Sequence, residues 1–433
     1  MKRLSFILTL MLVAIIMMAA ENYPYRSDFL WVTNPDHADW LYQVGEDATV
    51  EVQLYKYGCA VNAEVSYEVC PDMLPATSKG KVKLVNGKGT IKVGTRRQPG
   101  FQDLKLTATI DGKQTQHHVK VGYSVDKIAP YTQMPKDFKA FWDDAVTSAR
   151  KAAPLKYTRE LATELCTDKI DCWLVKLQID REHYMYGYLS MPKNHEGKMA
   201  ASFCPPGAGV KTIKDPLRHK YYAEDGMIRL EAEIHGLDPR IPESTFKEVR
   251  SAFANNDNGY FTNRLGEKDA YYMRHVYVGM VRWMDFLCSL PEWDGVNLSV
   301  QGGSQGGALA LVTAALDPRV TACCVNHPAL TDMAGYAEKG RTGGYPHFKE
   351  NVLTAQVIDC LQYYDVINFC RLVKCPVRMT WGYNDSVCPP TTSYAAWNTL
   401  TCPKECVITP VNEHWTSETM EKQHEEWIIS KKK

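Results

Sequence analysis

Ser304, Asp385 and His414 are spaced along this 433-residue chain as the nucleophile, acid and base of an acyl-transfer centre would be. Ser304 sits in Gly302-Gly303-Ser304-Gln305-Gly306-Gly307, after the apolar run Val296 to Val300 and before Ala308 to Val312. That is the order strand, tight turn, helix. In a G-x-S-x-G elbow, glycines on both sides let a strained turn expose the serine hydroxyl while the helix packs close to the strand. An acid and a base should then follow in the chain order Ser, Asp or Glu, His. The apolar run Pro376 to Trp381 ends in Gly382-Tyr383-Asn384-Asp385, and Cys406 to Pro410 is followed by Val411-Asn412-Glu413-His414. Each residue also has a plainer reading. Asp385 suits a type I turn after Asn384, and His414 is one of 12 histidines, His235, His327 and His347 among them. The catalytic reading rests on their combination, since an open α/β sheet gathers its site at the carboxyl ends of its strands.

The elements that must position these residues can be read from hydrophobic patterning. Cys172 to Ile179, Met185 to Met191, Met199 to Cys204, Ile228 to Ile234, Leu298 to Gln301, Ala322 to Val325, Val377 to Trp381 and Val407 to Thr409 form a set of strands, mostly separated by helical stretches. The expected architecture is α/β with a mainly parallel sheet. Asp238 to Glu267 has no clear strand and is expected as cap-like structure, in which Tyr260 and Phe261 either touch substrate or pack. Residues 22–125 read differently. Thr49 to Tyr55, Ala63 to Val69 and Lys105 to Ile110 alternate at period two, and Asn86-Gly87 and Asp111-Gly112 are hairpin signals. A small antiparallel β-sandwich is expected there, as a glycan-binding or lid module or as a spacer packed on the larger domain, 126–433.

From about Asp126 onward the chain resembles the acetyl xylan esterase and cephalosporin C deacetylase group, carbohydrate esterase family 7, of the α/β-hydrolase superfamily. The resemblance is carried by Pro135 to Trp142, by Tyr271 to Tyr277 and Val281 to Pro291 ahead of the elbow, by Asp317 to Val320 after it, by Tyr363 to Asn368, and by Val387 to Thr392 around the acid. It implies an α/β-hydrolase fold and a serine esterase whose nucleophile, acid and base fall at Ser304, Asp385 and His414. The amide of Gln305 would supply one oxyanion donor, because developing negative charge needs preorganised N–H groups. The second is expected from Pro205-Pro206-Gly207-Ala208-Gly209, after Met199 to Cys204, with Gly207 where the family's His-Gly-Tyr has tyrosine. The alternative is that Pro205 to Gly209 is only a turn. Two further departures are His235-Gly236-Leu237 in place of Arg-Gly-Gln, which puts loop support and the family's hexameric assembly in question, and Trp415 where the family commonly has Glu. Trp415 either stacks on a sugar ring or packs on its own helix.

Composition fits a large two-domain enzyme: 45% of residues are hydrophobic and the formal net charge is zero. No basic stripe points to nucleic acid and no acidic tail to a cationic partner, so uncharged substrates fit best. Residues 1–20, with Met1-Lys2-Arg3, an apolar stretch Leu4 to Met18 and small Ala19-Ala20, read as a secretory signal peptide, with an uncleaved anchor as the alternative. A periplasmic or secreted protein without stable membrane insertion is expected. Such a compartment permits disulfides among the 14 cysteines, with Cys59/Cys70, Cys166/Cys172, Cys370/Cys375 and Cys402/Cys406 as close-spaced pairs; Cys204, Cys323, Cys324 and Cys388 read as free and buried. No Cys/His spacing suits zinc, and the chemistry needs neither metal nor organic cofactor. The expected activity is removal of O-acetyl groups from xylan, xylo-oligosaccharides or related carbohydrates. A broader carboxylesterase or exopeptidase would share the same three residues, and a non-catalytic glycan binder would leave them unused.

Overall fold

The computed structural model describes residues 28–252 and 259–433, so the signal segment lies outside the described residues. Alternation at period two does produce a sandwich. Ala48–Lys56 buries every second side chain, and Val50, Val52 and Leu54 meet Val65, Val69, Leu104, Leu106, Val119 and Val121 in one core. One sheet holds Phe29–Pro35, Ala48–Lys56, Cys59–Ala60 and Lys88–Gly94; the other runs in the order Leu41–Tyr42, Lys113–Tyr123, Gly100–Ile110, Glu64–Pro71, Ser78–Lys83. Pairing is antiparallel except where Leu41–Tyr42 runs parallel to Gly122 and Tyr123. At both expected hairpin turns the two central residues have positive φ, Asn86 and Gly87 at 51° and 74°, Asp111 and Gly112 at 49° and 79°. That conformation matches the twist of the flanking strands.

The larger sheet has nine strands in the order Tyr157–Leu161, Ile170–Gln178, Tyr184–Pro192, Ile228–Ala232, Met199–Cys204, Trp293–Gly303, Ala322–Asn326, Val377–Trp381, Lys404–Ile408. Three pairings at the first edge are antiparallel. The five from Ile228–Ala232 onward are parallel. The edge strand Tyr157–Leu161 was not expected; its side chains are almost all exposed, so it carries no apolar signature. The helices Phe138–Ala152, Met273–Ser289, Gln305–Leu316 and Pro390–Thr399 bury their apolar faces in the core that the sheet organises.

The sandwich and this sheet share packing. Phe101, wholly buried, lies 5.1 Å from the ring of Tyr383 and 5.7 Å from that of Tyr394. The segment expected as a cap contains the helix Glu243–Ala252 and a short 3-10 turn, Gly259–Thr262. All 14 cysteines are free, which corrects the close-spaced disulfide pairs. Cys59 and Cys70 belong to different sheets of the sandwich. Cys402 lies in the bend before the strand Lys404–Ile408 and Cys406 within it, and both thiols are free. Among the described residues no helix is long and apolar enough to cross a membrane.

Candidate active site

Ser304 joins the strand Trp293–Gly303 to the helix Gln305–Leu316 with φ 58° and ψ −124°, a strained conformation for a residue with a side chain. The turn is held on both sides: Ser304 N donates to the Asn326 carbonyl at 3.0 Å, and the Ser304 carbonyl accepts from Ala308 and Ala329 at 3.0 Å. Glycine is obligatory around it. A Cβ on Gly302 would stand 2.3 Å from the Gly306 carbonyl oxygen, and one on Gly306 would stand 2.5 Å from that of Pro205. The elbow helix therefore starts pressed against the loop Pro205 to Gly209.

Gln305 stitches those two segments together. Wholly buried, it donates from Nε2 to the carbonyls of Pro206 and Gly207 at 3.3 Å each, and accepts from the Tyr260 hydroxyl at 2.6 Å. The Tyr260 hydroxyl in turn accepts from Gly209 N at 3.2 Å. Of the two readings of Tyr260, contact with substrate or packing, the structure shows packing: it is fully buried and its hydroxyl braces the loop. His235 also holds this loop, with Nε2 donating to the Gly209 carbonyl at 3.3 Å and Nδ1 accepting from the Tyr272 hydroxyl at 2.7 Å. Burial pushes the His235 imidazole down to about 4, so it is neutral and can do both. The loop support that a missing arginine put in question thus comes from His235, Tyr260 and Gln305. Gly207 leaves an open side: a Cβ there would meet only the flexible end of Lys211, at 3.3 Å.

Asp385 follows the strand Val377–Trp381 and is wholly buried. Its carboxylate serves a turn with one oxygen and meets His414 with the other. Oδ1 accepts from Val387 N and Cys388 N at 2.7 and 2.8 Å, which makes it the pivot of a turn, while Oδ2 accepts from His414 Nδ1 at 2.8 Å. Burial raises its pKa, but the His414 hydrogen bond and charge, together with His327 and the amide donors, outweigh that and leave it below the ordinary carboxylate value. With Nδ1–H committed to Asp385, His414 presents Nε2 as an acceptor. Among the described residues the Ser304 hydroxyl has no hydrogen bond to His414; it interacts instead with the Cys388 thiol, which burial holds well above its usual pKa. Such nucleophile–base contacts commonly tighten only when substrate is bound.

Two neighbours escaped the sequence reading. The His327 ring lies 4.3 Å from that of His414, and burial pushes it down to about 4, leaving a neutral partner beside the base. Cys388 was read as a free core thiol, without its place beside Ser304. His327, Asp385 and His414 bring three potential ligand atoms together, as do Cys204, His219 and Glu231. In the second group Arg229 lies 2.8 Å from Glu231 and 3.3 Å from His219 Nδ1, so a guanidinium already supplies the positive charge. Trp415 is 53% exposed beside His414 and borders a recess of about 130 Å³ with His327, Trp381 and Asn412.

This geometry coincides with a family match. The model for the acetyl xylan esterase (AXE1) family matches residues 123–431. The chain belongs to the acetyl xylan esterase family. A relative, the acetyl esterase Axe7A of Xylanibacter ruminicola, is 56% identical over 419 residues, covering 96% of this chain and 94% of its own. That coverage includes the sandwich. Among solved structures, the acetyl xylan esterase from Paenibacillus sp. R4 superposes with a TM-score of 0.61 at 24% identity, covering 71% of this chain and 98% of its own. Acetyl xylan esterase 1 from Thermoanaerobacterium sp. gives 0.60 at 23%, again with 71% and 98% coverage. These two share the α/β-hydrolase fold. As a family member it is a carboxylic ester hydrolase.

Proposed function

We propose that this esterase removes O-acetyl groups from xylan, xylo-oligosaccharides or related acetylated carbohydrates through an acyl-serine intermediate. The observation that carries the reading is the 2.8 Å contact between Asp385 and His414 beside a strained, glycine-flanked Ser304. In the first half-reaction the Ser304 oxygen attacks the acetyl carbonyl carbon and its proton passes to His414 Nε2, while Asp385 stabilises the imidazolium. The carbonyl oxygen gains the charge and is met by the amides of Gln305 and Gly207. As the bond between the acetyl carbon and the sugar oxygen breaks, His414 passes its proton to that oxygen, so the sugar leaves as an alcohol and the acetyl group stays on Ser304. Water repeats the sequence on the acyl-serine, releasing acetate and restoring Ser304.

Every proton in this scheme moves between the substrate, water, Ser304 and His414. Trp415, exposed beside His414, offers a flat apolar face to a pyranose ring. The export pattern of residues 1–20 supports a periplasmic or secreted enzyme, which meets polysaccharide outside the cytoplasm. Hydrolysis of acetyl, butyryl and octanoyl aryl esters beside acetylated xylo-oligosaccharides tests the reading. Acetyl-selective turnover is expected on both substrate types. Faster cleavage of the longer acyl chains, with the acetylated oligosaccharides untouched, would replace it with a broader carboxylesterase.

A further inference from the structure

Lys120 belongs to the sandwich strand Lys113–Tyr123, yet its side chain is wholly buried and ends at the acid loop. Its Nζ donates to the carbonyl oxygen of Asp385 at 2.6 Å and pairs with Asp72 Oδ1 at 2.9 Å, while its backbone N–H donates to Asn384 Oδ1 at 2.9 Å. Asp72, also in the sandwich and 1% exposed, reaches the first turn of the helix Pro390–Thr399 that follows this loop. Its Oδ2 accepts from Thr391 N at 3.3 Å and Thr391 Oγ1 at 2.7 Å, and its carbonyl accepts from Thr342 Oγ1 at 2.7 Å. The loop is therefore held at Asn384 and Asp385 by Lys120, and the helix that follows it is held at Thr391 by Asp72.

On the same strand face, two residues earlier, His118 Nδ1 contacts Asp103 at 3.0 Å and its Nε2 lies 3.8 Å from the carboxylate of Glu413, the residue before His414. One face of the sandwich thus touches the loops of both acid and base. Packing alone does not call for a buried ammonium, because an apolar side chain of similar volume fills such a place without desolvating a charge. An ammonium is useful here because it can direct a hydrogen bond to one chosen carbonyl.

We infer that Lys120 is a positioning residue for Asp385, and that the amino-terminal sandwich is a working part of the active site. The inference rests on the reading of Asp385 as the catalytic acid. Lys120 touches neither substrate nor reacting atoms and acts by fixing the backbone from which the Asp385 carboxylate reaches His414.

A double-mutant cycle on the full-length enzyme, with Lys120→Met and Asp385→Asn assayed on an aryl acetate, tests this. A misplacement of the acid near 1 Å should lower kcat of Lys120→Met by about ten- to a hundredfold with KM changed less than about twofold. In the Asp385→Asn background the same change should alter residual kcat by less than about twofold, because both substitutions remove one function. Unchanged kcat in Lys120→Met, or an equal loss in both backgrounds, overturns the inference. An Asp385→Asn enzyme with native kcat would instead refute the assignment of the acid. Should Lys120→Met fail to melt cooperatively, Thr391→Val removes one grip on Asp72; a kcat loss of about threefold or more at constant KM supports positioning, and native kcat overturns it.

Discussion

Replacing Gly306 with alanine probes the contact between the elbow and the oxyanion loop. The new Cβ would stand 2.5 Å from the Pro205 carbonyl oxygen, where ordinary contact begins at 3.4 Å, so about 0.9 Å of movement is required. Both opposing groups are backbone, so no side chain can swing aside. Either the helix Gln305–Leu316 or the loop Pro205 to Gly209 must move, and overpacking of this kind costs about 1–3 kcal/mol. A shift near 1 Å at an oxyanion donor should lower kcat by about 10²- to 10³-fold. KM should change far less, since the donors act on charge that develops in the transition state. The assay is steady-state hydrolysis of an aryl acetate beside a thermal melt. Gly207→Ala is the control: its Cβ meets only Lys211 Nζ at 3.3 Å, so kcat should stay within about twofold of native. Native kcat and melting temperature in Gly306→Ala, or a loss confined to KM, would refute the reasoning.

Tyr260→Phe should leave the Gln305 side-chain oxygen and Gly209 N without the hydroxyl they share, destabilising the enzyme by about 1–3 kcal/mol. Urea unfolding with parallel kcat measurements checks this. Because folding depresses the Asp385 pKa, its carboxylate stabilises the fold above the unfolded value near ~3.9, and that contribution disappears as pH falls through the lower folded value. Asp385→Asn should therefore lose less stability than native enzyme as pH falls below the unfolded value near ~3.9; parallel acid-side losses in denaturant midpoints would contradict it.

How much of this was legible in the sequence depended on range. The elbow is local, and the steric need for Gly302 and Gly306 is visible in six consecutive residues. Asp385 and His414 could be proposed because each follows a strand, Val377–Trp381 and Lys404–Ile408, and these two strands are neighbours in the sheet. The grip of Lys120 on Asp385 spans 265 positions and leaves no periodicity or motif behind. Aromatic loop residues were ambiguous for a related reason. Tyr260 and Trp415 look alike as large side chains outside strands, yet one is wholly buried and the other 53% exposed. Cysteine spacing misled because proximity along the chain says nothing about which sheet each thiol joins, as Cys59 and Cys70 illustrate. At the departures His235 and Gly207 the loop Pro205 to Gly209 is held by hydrogen bonds from the His235 ring and the Gln305 side chain to its carbonyls.

The acyl-serine itself is the most direct object of measurement. Native enzyme mixed briefly with an aryl acetate, quenched in acid and mapped by peptide mass spectrometry should carry an acetyl group on Ser304, and Ser304→Ala should carry none and turn over no ester. An acetyl group found on the neighbouring Cys388, or undiminished turnover by pure Ser304→Ala, would contradict the account.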